Sequence, residues 1–336
     1  MNRTKVRDII DALNIITGGR IPKQYDIFSG ENPFVMIKSS SIPGKSIMEI
    51  PGLVFGDVNQ IIKKLAVTMT LTESDIELAN ALGVDAIVAH HPIADAANSG
   101  GVTLKNYLSL YKISVFEVHE AFHGLHPGIS YLHGHKVFRT EIAYGGIPGN
   151  IIFVGKTLEG IYTLGDMLDW TLNFMDFQQE REFLKLERDI RGCDEINETV
   201  ASLEGEILVG NRESPVNIIL HIFPHTGFNV HHLEQVKKEH PDIDTVLASI
   251  SRVKEDNPIV EKCRSLGLNF IVGNSHALEI FENGLPLAIA LNKIIPEIEI
   301  VIFRQRVTAT PINNFGSSQI NEYAEMMANK YLVTKA

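Results

Sequence analysis

Cysteine is nearly absent from this sequence: among 336 residues only Cys193 and Cys263 occur, far apart and without a Cys-x-x-Cys spacing. That excludes zinc ribbons and suits a reducing cytoplasm, so any metal here must be held by His and carboxylates. Positive charge is also short, with 30 Lys and Arg against 41 Asp and Glu and a net charge of −11. No phosphate-neutralising stripe can be assembled from it, which argues against a nucleic-acid partner or an anionic membrane surface. The pairs Lys63-Lys64 and Lys237-Lys238 are too short to count as basic patches. No apolar run approaches the length needed to span a bilayer. The segment Lys5-Val-Arg-Asp-Ile-Ile-Asp-Ala-Leu-Asn-Ile-Ile16 spaces its apolar residues as an amphipathic helix and not as a signal core, so a soluble, cytoplasmic protein is expected. A Gly-rich phosphate loop is missing, and Arg139, Arg252 and Lys254 are scattered. The single tryptophan, Trp170, lies between Leu168 and Leu172 on an amphipathic stretch and reads as core.

What is present is histidine, and it is clustered. The run Val84-Asp-Ala-Ile-Val-Ala-His-His-Pro92 places His90 and His91 at the carboxyl end of a short buried strand stopped by proline. Open α/β sheets bind ligands beyond the strand ends, and neutral imidazole is the commonest protein metal ligand. Upstream, strand-like Ala66–Leu71 leads through Thr72, an N-cap, into a helix ending at Leu82–Gly83. Strand, helix, strand at this spacing is a βαβ unit, implying a parallel sheet covered on both faces. A Gly/Asn/Ser loop at Asn98–Gly101 and a helix near Leu104–Tyr111 precede a second strand, Ile113–Val118, which also ends in histidine: His119-Glu120-Ala-Phe-His123. If that stretch opens a helix, His119 and His123 share a face. If it is a loop, the strand end still delivers them beside His90 and His91.

The second half repeats the βαβαβ order. Strand-like Ile151–Gly155 precedes a helix capped by Thr163 and running to about Phe174. A charge-rich stretch from 176 to 199 reads as a solvated helix or excursion. Strands at Glu206–Val209, Val216–Phe223, Thr245–Ile250 and Asn269–Val272 then alternate with helices near 230–239 and 258–266. Gly273-Asn-Ser-His276-Ala-Leu-Glu279 opens a helix reaching roughly Leu291, with His276 and Glu279 three apart on one face and Glu282 continuing it. That spacing also fits His276 as a cap, with Glu279 and Glu282 favouring the helix dipole. The expected architecture is α/β: two βαβ-built lobes with mixed and parallel sheets and a metal site in the cleft between them. The lobes are expected at 1–145, carrying His-His-Pro, and at 146–336, carrying the His/Glu motif with a charged excursion at about 176–212.

Taken in order, these motifs resemble the Nif-three-like dinuclear-metal family, the GTP cyclohydrolase 1 type 2 homologues. The family's Trp-Asp-Asn-like segment is matched loosely by Gln24-Tyr-Asp-Ile-Phe28, and its strand ending in His-His-Pro by Ala66–Pro92. A His-Thr-x-x-Asp-like motif is answered by His119–His123, the Gly-strand-to-helix join by Val154–Leu168, and the closing His/Glu motif by Gly273–Glu279. Two departures stand out: His123 occupies the family's aspartate position, with Glu120 as a nearby substitute, and His276 and Glu279 are separated by three where the family has four. The resemblance implies His90, His91, His123, His276 and Glu279 as ligands, with His119 and Glu120 in or next to the coordination sphere. It implies two divalent ions, for which His and carboxylate donors suit Zn, Fe, Mn, Co or Ni alike.

Two function classes follow. The first is a metal-dependent hydrolase acting on a small molecule, with Glu279 or His225, in the turn Phe223-Pro-His-Thr-Gly227, handling protons. The family label points to a GTP cyclohydrolase, although the missing phosphate grip makes it weak evidence for the substrate. The second is a non-enzymatic metal-binding, delivery or regulatory protein acting as a ring, the homohexamer that the resemblance implies. His231 and His232 read as exposed or capping, and His133, His135, His221 and His240 carry no metal spacing, His133-Gly-His135 lacking an apolar strand before it.

Overall fold

Leu65, Ala66, Val67 and Thr68 are buried at successive positions, so the strand they form, β4 (Lys64–Thr68), has no wet face and must be covered on both sides. In the computed structural model, which describes residues 3–23, 32–39, 46–93, 104–126, 128–147 and 149–333, that cover is supplied by helices. The segment Gln24–Phe28, most of the turn expected at 39–44 and the loop at 98–101 lie outside the described residues.

The chain opens with α1 (Val6–Ile16), an antiparallel ribbon of β1 (Met36–Ser39) and β2 (Ser46–Glu49), and β3 (Gly52–Phe55). After β4, Thr72 caps α2 (Glu73–Ala81): its hydroxyl accepts the Asp75 N–H at 3.2 Å, while the Asp75 carboxylate accepts the Thr72 N–H at 2.8 Å. Next come β5 (Ala86–Ala89), α3 (104–111) and β6 (Ser114–Glu117). Strands β4, β5 and β6 are parallel neighbours, with β3 antiparallel on the β6 edge. The other edge is closed from far along the chain, by β14 (Glu299–Ile302) parallel to β4. Alternation sorts the cover. Leu65 and Val67 pack with α1 and with α10 (Leu285–Ile294) through Ile9, Leu13, Leu287 and Leu291; Ala66, Ile87 and Val115 face Ile76, Leu104 and Leu108 of α2 and α3.

A short α4 (Gly128–Leu132) leads into β7 (His135–Glu141), β8 (Ile152–Thr157) and α5 (Leu164–Phe174), capped by Thr163 as its sequence predicts. Following β10 (Glu206–Val209), the second βαβαβ run is β11 (Ile218–Ile222), α8 (Val230–Glu239), β12 (Thr245–Ile250), α9 (Pro258–Ser265) and β13 (Asn269–Ser275). The six strands order as β10-β13-β12-β11-β8-β7, with β11, β12 and β13 parallel and the outer three antiparallel to their inner neighbours. The fold is therefore α/β with two mixed sheets. The larger sheet draws a strand from before residue 145, and the smaller draws one from after residue 146.

Both sheets lie in one compact unit, Met1–Met175 with Gly205–Gln305. A second unit, Asp176–Glu204 with Arg306–Ala336, contains α6 (Phe177–Arg191), β9 (Asn197–Glu198), α7 (Thr199–Ser202), β15 (Thr308–Ala309) and α11 (Ser318–Met327). Its small core is Leu184, Cys193 and Ile196, and Arg306 pairs with Glu187 at 2.8 Å. Among the described residues, no helix is long and apolar enough to cross a membrane.

Candidate metal centre

Parallel strands deliver the chemistry. His90 and His91 follow β5 directly, their N–H groups donating to the Thr68 and Met69 carbonyls at 3.0 and 2.8 Å, so the ladder continues through the pair and fixes it. His119 follows β6, in a turn and not a helix, and His123 closes that turn. The four rings form one cluster: His90 lies 5.3 Å from His119 and 5.4 Å from His123, and those two are 4.6 Å apart, centroid to centroid.

His276 and Glu279 come from the other sheet. Strand β13 runs on through Ser275, past the expected stop at Gly273, and His276–Leu278 is a 3₁₀ turn followed by a π turn at Ile280–Gly284 before α10 begins. In a 3₁₀ turn side chains three apart eclipse one another. His276 Nε2 and Glu279 Oε2 accordingly meet at 2.9 Å, and the three-residue spacing converges the pair.

The polarity of each ring defines what the cluster could hold. The Val118 carbonyl can only accept, so the His90 Nδ1 at 2.9 Å carries the proton and Nε2 presents a lone pair. That lone pair faces Glu279 Oε1 at 3.4 Å. Burial holds His90 down to about 4, outweighing its contacts with Glu279, so the ring is neutral near pH 7. Burial pushes Glu279 up, but His91, His276 and His90 together bring it well below the usual carboxylate range. A neutral nitrogen lone pair and an ionised carboxylate thus face each other in a buried site, with the Asn283 amide within hydrogen-bond reach of both, a donor set that suits a cation.

The other rings follow the same plan. Thr70 Oγ1 holds His91 Nδ1 at 2.7 Å, while His91 Nε2 lies 2.9 Å from Glu279 Oε2 and 3.0 Å from His276 Nε2. Two imidazole nitrogens in contact cannot both carry hydrogen. Glu49 holds His119 Nδ1 and Glu120 holds His123 Nδ1, each at 3.1 Å. Metal-binding histidines are oriented in this manner by carboxylates and carbonyls behind them. Burial lowers His119 well below its usual value, while His276, lowered by burial, is raised on balance by its bond to Glu279. Three groups place ligand atoms within 4.8 Å of one another: His90, His119 and His123; His90, His91 and Glu279; and Glu49, His119 and Glu120.

All seven expected ligands are therefore brought together, Glu120 as a carboxylate behind His119 and His123. Sequence reasoning missed Glu49, at the end of β2 with no motif spacing around it. It also missed Asn283, whose amide donates to Glu279 Oε1 at 3.0 Å and approaches His90 Nε2 at 3.3 Å. Glu282 is set apart: its carboxyl, raised well above the usual range by burial and then by Glu279, accepts the Asn274 amide at 2.5 Å.

A cavity of about 810 Å³ opens on the cluster. His91, His119, Glu120, His123 and His276 line one side, and an apolar wall of Ile129, Ile151, Phe153 and Phe223 the other; no Lys or Arg lines it among the described residues. His225, also in the lining, sits in a 3₁₀ turn after β11 with its ring 6.4 Å from that of His276. Nearby, Ile250 ends β12 at φ 64°, a left-handed conformation that costs a β-branched residue on the order of 1–3 kcal/mol.

Behind the apolar wall lies a second set of histidines that no spacing had signalled. His133, His135 and His221 are buried, with rings 5.2 and 5.3 Å apart around His221. His133 Nδ1 donates to the Ile129 carbonyl at 2.7 Å and its Nε2 accepts the Asn274 N–H at 3.1 Å. Among the described residues neither ring nitrogen of His135 meets hydrogen-bond geometry with a partner. Glycine makes the room: a Cβ at Gly273 would stand 2.5 Å from His133 Nε2, and one at Gly155 would stand 2.7 Å from His135 Cδ2.

Residues 44–117 match the family Duf34/NIF3 (NGG1p interacting factor 3). The fold is shared with HcgD from Methanocaldococcus jannaschii, at 17% identity over 90% of this chain and 98% of that one, TM-score 0.56. A Bacillus cereus protein related to NIF3 matches at 12% identity over 91% and 98% of the two chains, TM-score 0.54. A Staphylococcus aureus hypothetical protein matches at 13% over 90% and 97%, TM-score 0.53. No curated protein matches the sequence.

Proposed function

From a chain of NIF3 type, by that family match and by its fold, we propose a metal-dependent hydrolase whose centre holds two divalent cations and acts on a small molecule of low charge. The observation that carries the metal is the convergence, within 4.8 Å, of ligand atoms from His90, His119 and His123 and from His90, His91 and Glu279, with His90 Nδ1 turned away to Val118. Because Nδ1 of His90 is committed to Val118, its Nε2 can serve one cation only. His91, His276 and Glu279 would hold one cation, and His119 and His123 the other. The two Glu279 oxygens, one toward His90 and one toward His91 and His276, suit it to lie between them. A divalent cation in such a site polarises carbonyl or phosphoryl oxygens and acidifies water.

The chain's own groups do the rest. Burial keeps His90 and His119 neutral, so they need shed no proton to bind. Asn283 fixes the Glu279 carboxylate, and the apolar wall of the cavity accepts the uncharged part of a substrate while excluding water. A lining without Lys or Arg among the described residues favours a cyclic amide or a similar carbonyl compound over a nucleoside triphosphate such as GTP.

Elemental analysis of untagged protein, alongside His91→Ala and Glu279→Gln, tests the centre. Roughly two ions per chain are expected in the parent, with loss in each variant; undiminished metal in both would refute the assignment. Turnover of cyclic amides but not GTP by the loaded protein is the expected chemistry. Inactivity toward amides, nucleotides and GTP alike would favour the non-enzymatic metal-binding reading.

A further inference from the structure

The turn that carries His119 and His123 belongs to neither a strand nor a helix, so its carbonyls must find partners away from any ladder. Two of them find the same one. Arg20 Nη1 donates to the Ala121 carbonyl at 3.1 Å and to the His123 carbonyl at 2.9 Å, from a point about a hundred residues earlier in the chain. Gly18 and Gly19, at φ 65° and 88°, stop α1 and lead the chain into this contact through a left-handed stretch that glycine adopts without strain. The Arg20 guanidinium also lies over the Phe34 ring, with Cζ 4.7 Å from the centroid. A guanidinium stays charged in a protein, and hydrogen bonds from a charged donor are about twice as strong as neutral ones.

The supports of the cluster divide between its two halves. Glu49 and Glu120 orient the rings of His119 and His123, while Arg20 bonds the backbone that carries them. His91 and Glu279 are held instead by Thr70 and Asn283. We propose that Arg20 is a positioning residue: it fixes the turn that presents His119 and His123, and so sets the affinity of the cation those two would hold without affecting the cation at His91, His276 and Glu279. The affinity role rests on the two-cation reading above; the hold on the turn does not.

The full chain, stripped of metal and titrated calorimetrically with Zn²⁺ alone, tests the affinity. The parent is expected to show two binding events, and His119→Ala to identify the one that belongs to the turn. Arg20→Met keeps an apolar side chain beside Phe34 but removes the donors, and is expected to weaken that event about 10–100-fold and leave the other unchanged. Arg20→Lys, with its charge and donors on one nitrogen, is expected to recover part of the loss. Both events weakened together, as a general loss of structure would give, or neither weakened, would overturn the proposal. Amide hydrogen exchange of the metal-free protein tests the turn itself. The Phe122 N–H, which donates to the His119 carbonyl at 2.8 Å, is expected to exchange faster in Arg20→Met while the amides of β4 and β5 keep the parent's rates. An unchanged Phe122 rate would overturn the hold on the turn. A parent that binds fewer than two ions while Phe122 responds would sink the two-cation reading and leave that hold supported.

Discussion

Acid should destabilise this protein well before its carboxylates titrate, and the buried histidines behind the cavity wall give the size of the effect. His133 and His135 are 2% and 0% exposed. Burial holds the first down to about 4; burial, and then the neighbouring His133, hold the second down to about 3. In the unfolded chain each imidazole titrates near its ordinary value of about 6.5. Between those values the unfolded state binds the proton and the native state does not, so stability rises with pH across the window and is lost on acidification. At pH 5 the unfolded chain has gained about 1.5 units of protonation advantage per ring, worth about 2 kcal/mol each, or about 4 kcal/mol for the pair. Glu282, with its raised carboxyl, acts in the opposite sense, so the informative quantity is a difference between proteins. Urea unfolding followed by far-ultraviolet circular dichroism in excess chelator, at pH 7.5 and pH 5, should show His135→Leu losing about 2 kcal/mol less than the parent. Equal losses in the two proteins would refute the reasoning.

Gly273→Ala places a methyl group 2.5 Å from His133 Nε2, against a ring already bonded at both nitrogens, and should cost about 1–3 kcal/mol by urea midpoint. Thr72→Ala removes the hydroxyl that accepts the Asp75 N–H and should cost about 1 kcal/mol, with Thr72→Ser recovering most of it. A variant as stable as the parent in either position would show that the contact carries no load.

The two βαβαβ runs were legible because their signals are local. Continuous apolar strands, the Thr72 cap and the glycine after α2 fix strand, helix and strand without help from afar, and parallel strands then bring His90, His91 and His119 to one end. The convergence of the His/Glu cluster was legible for the same reason, since its histidines come just after strands in sequence. What escaped was whatever depends on pairing across distance. Glu49 joins the cluster through a ribbon that leaves no spacing mark. The 3₁₀ and π turns after β13 are not written in helical periodicity, so the His276–Glu279 interval reads as a departure until the tighter turn is seen. The buried trio had one available signal: His221 interrupts the run Ile218-Ile219-Leu220-His221-Ile222, and a polar residue inside a doubly covered strand needs a partner. His135, whose companions come from elsewhere in the chain, had none.

The late closure of the smaller sheet bears on how the protein is made. Strands β4, β5 and β6 leave the ribosome early, but β14, which covers the backbone edge of β4, follows only after the whole larger sheet. So do Leu287, Leu291, Ile295 and Ile298, which seal one face of the early strands. Until β14 emerges the nascent chain therefore carries an open, apolar strand edge, the kind of template that invites mispairing with other chains. Completion of the smaller sheet needs a contact of long sequence separation, the kind that slows folding.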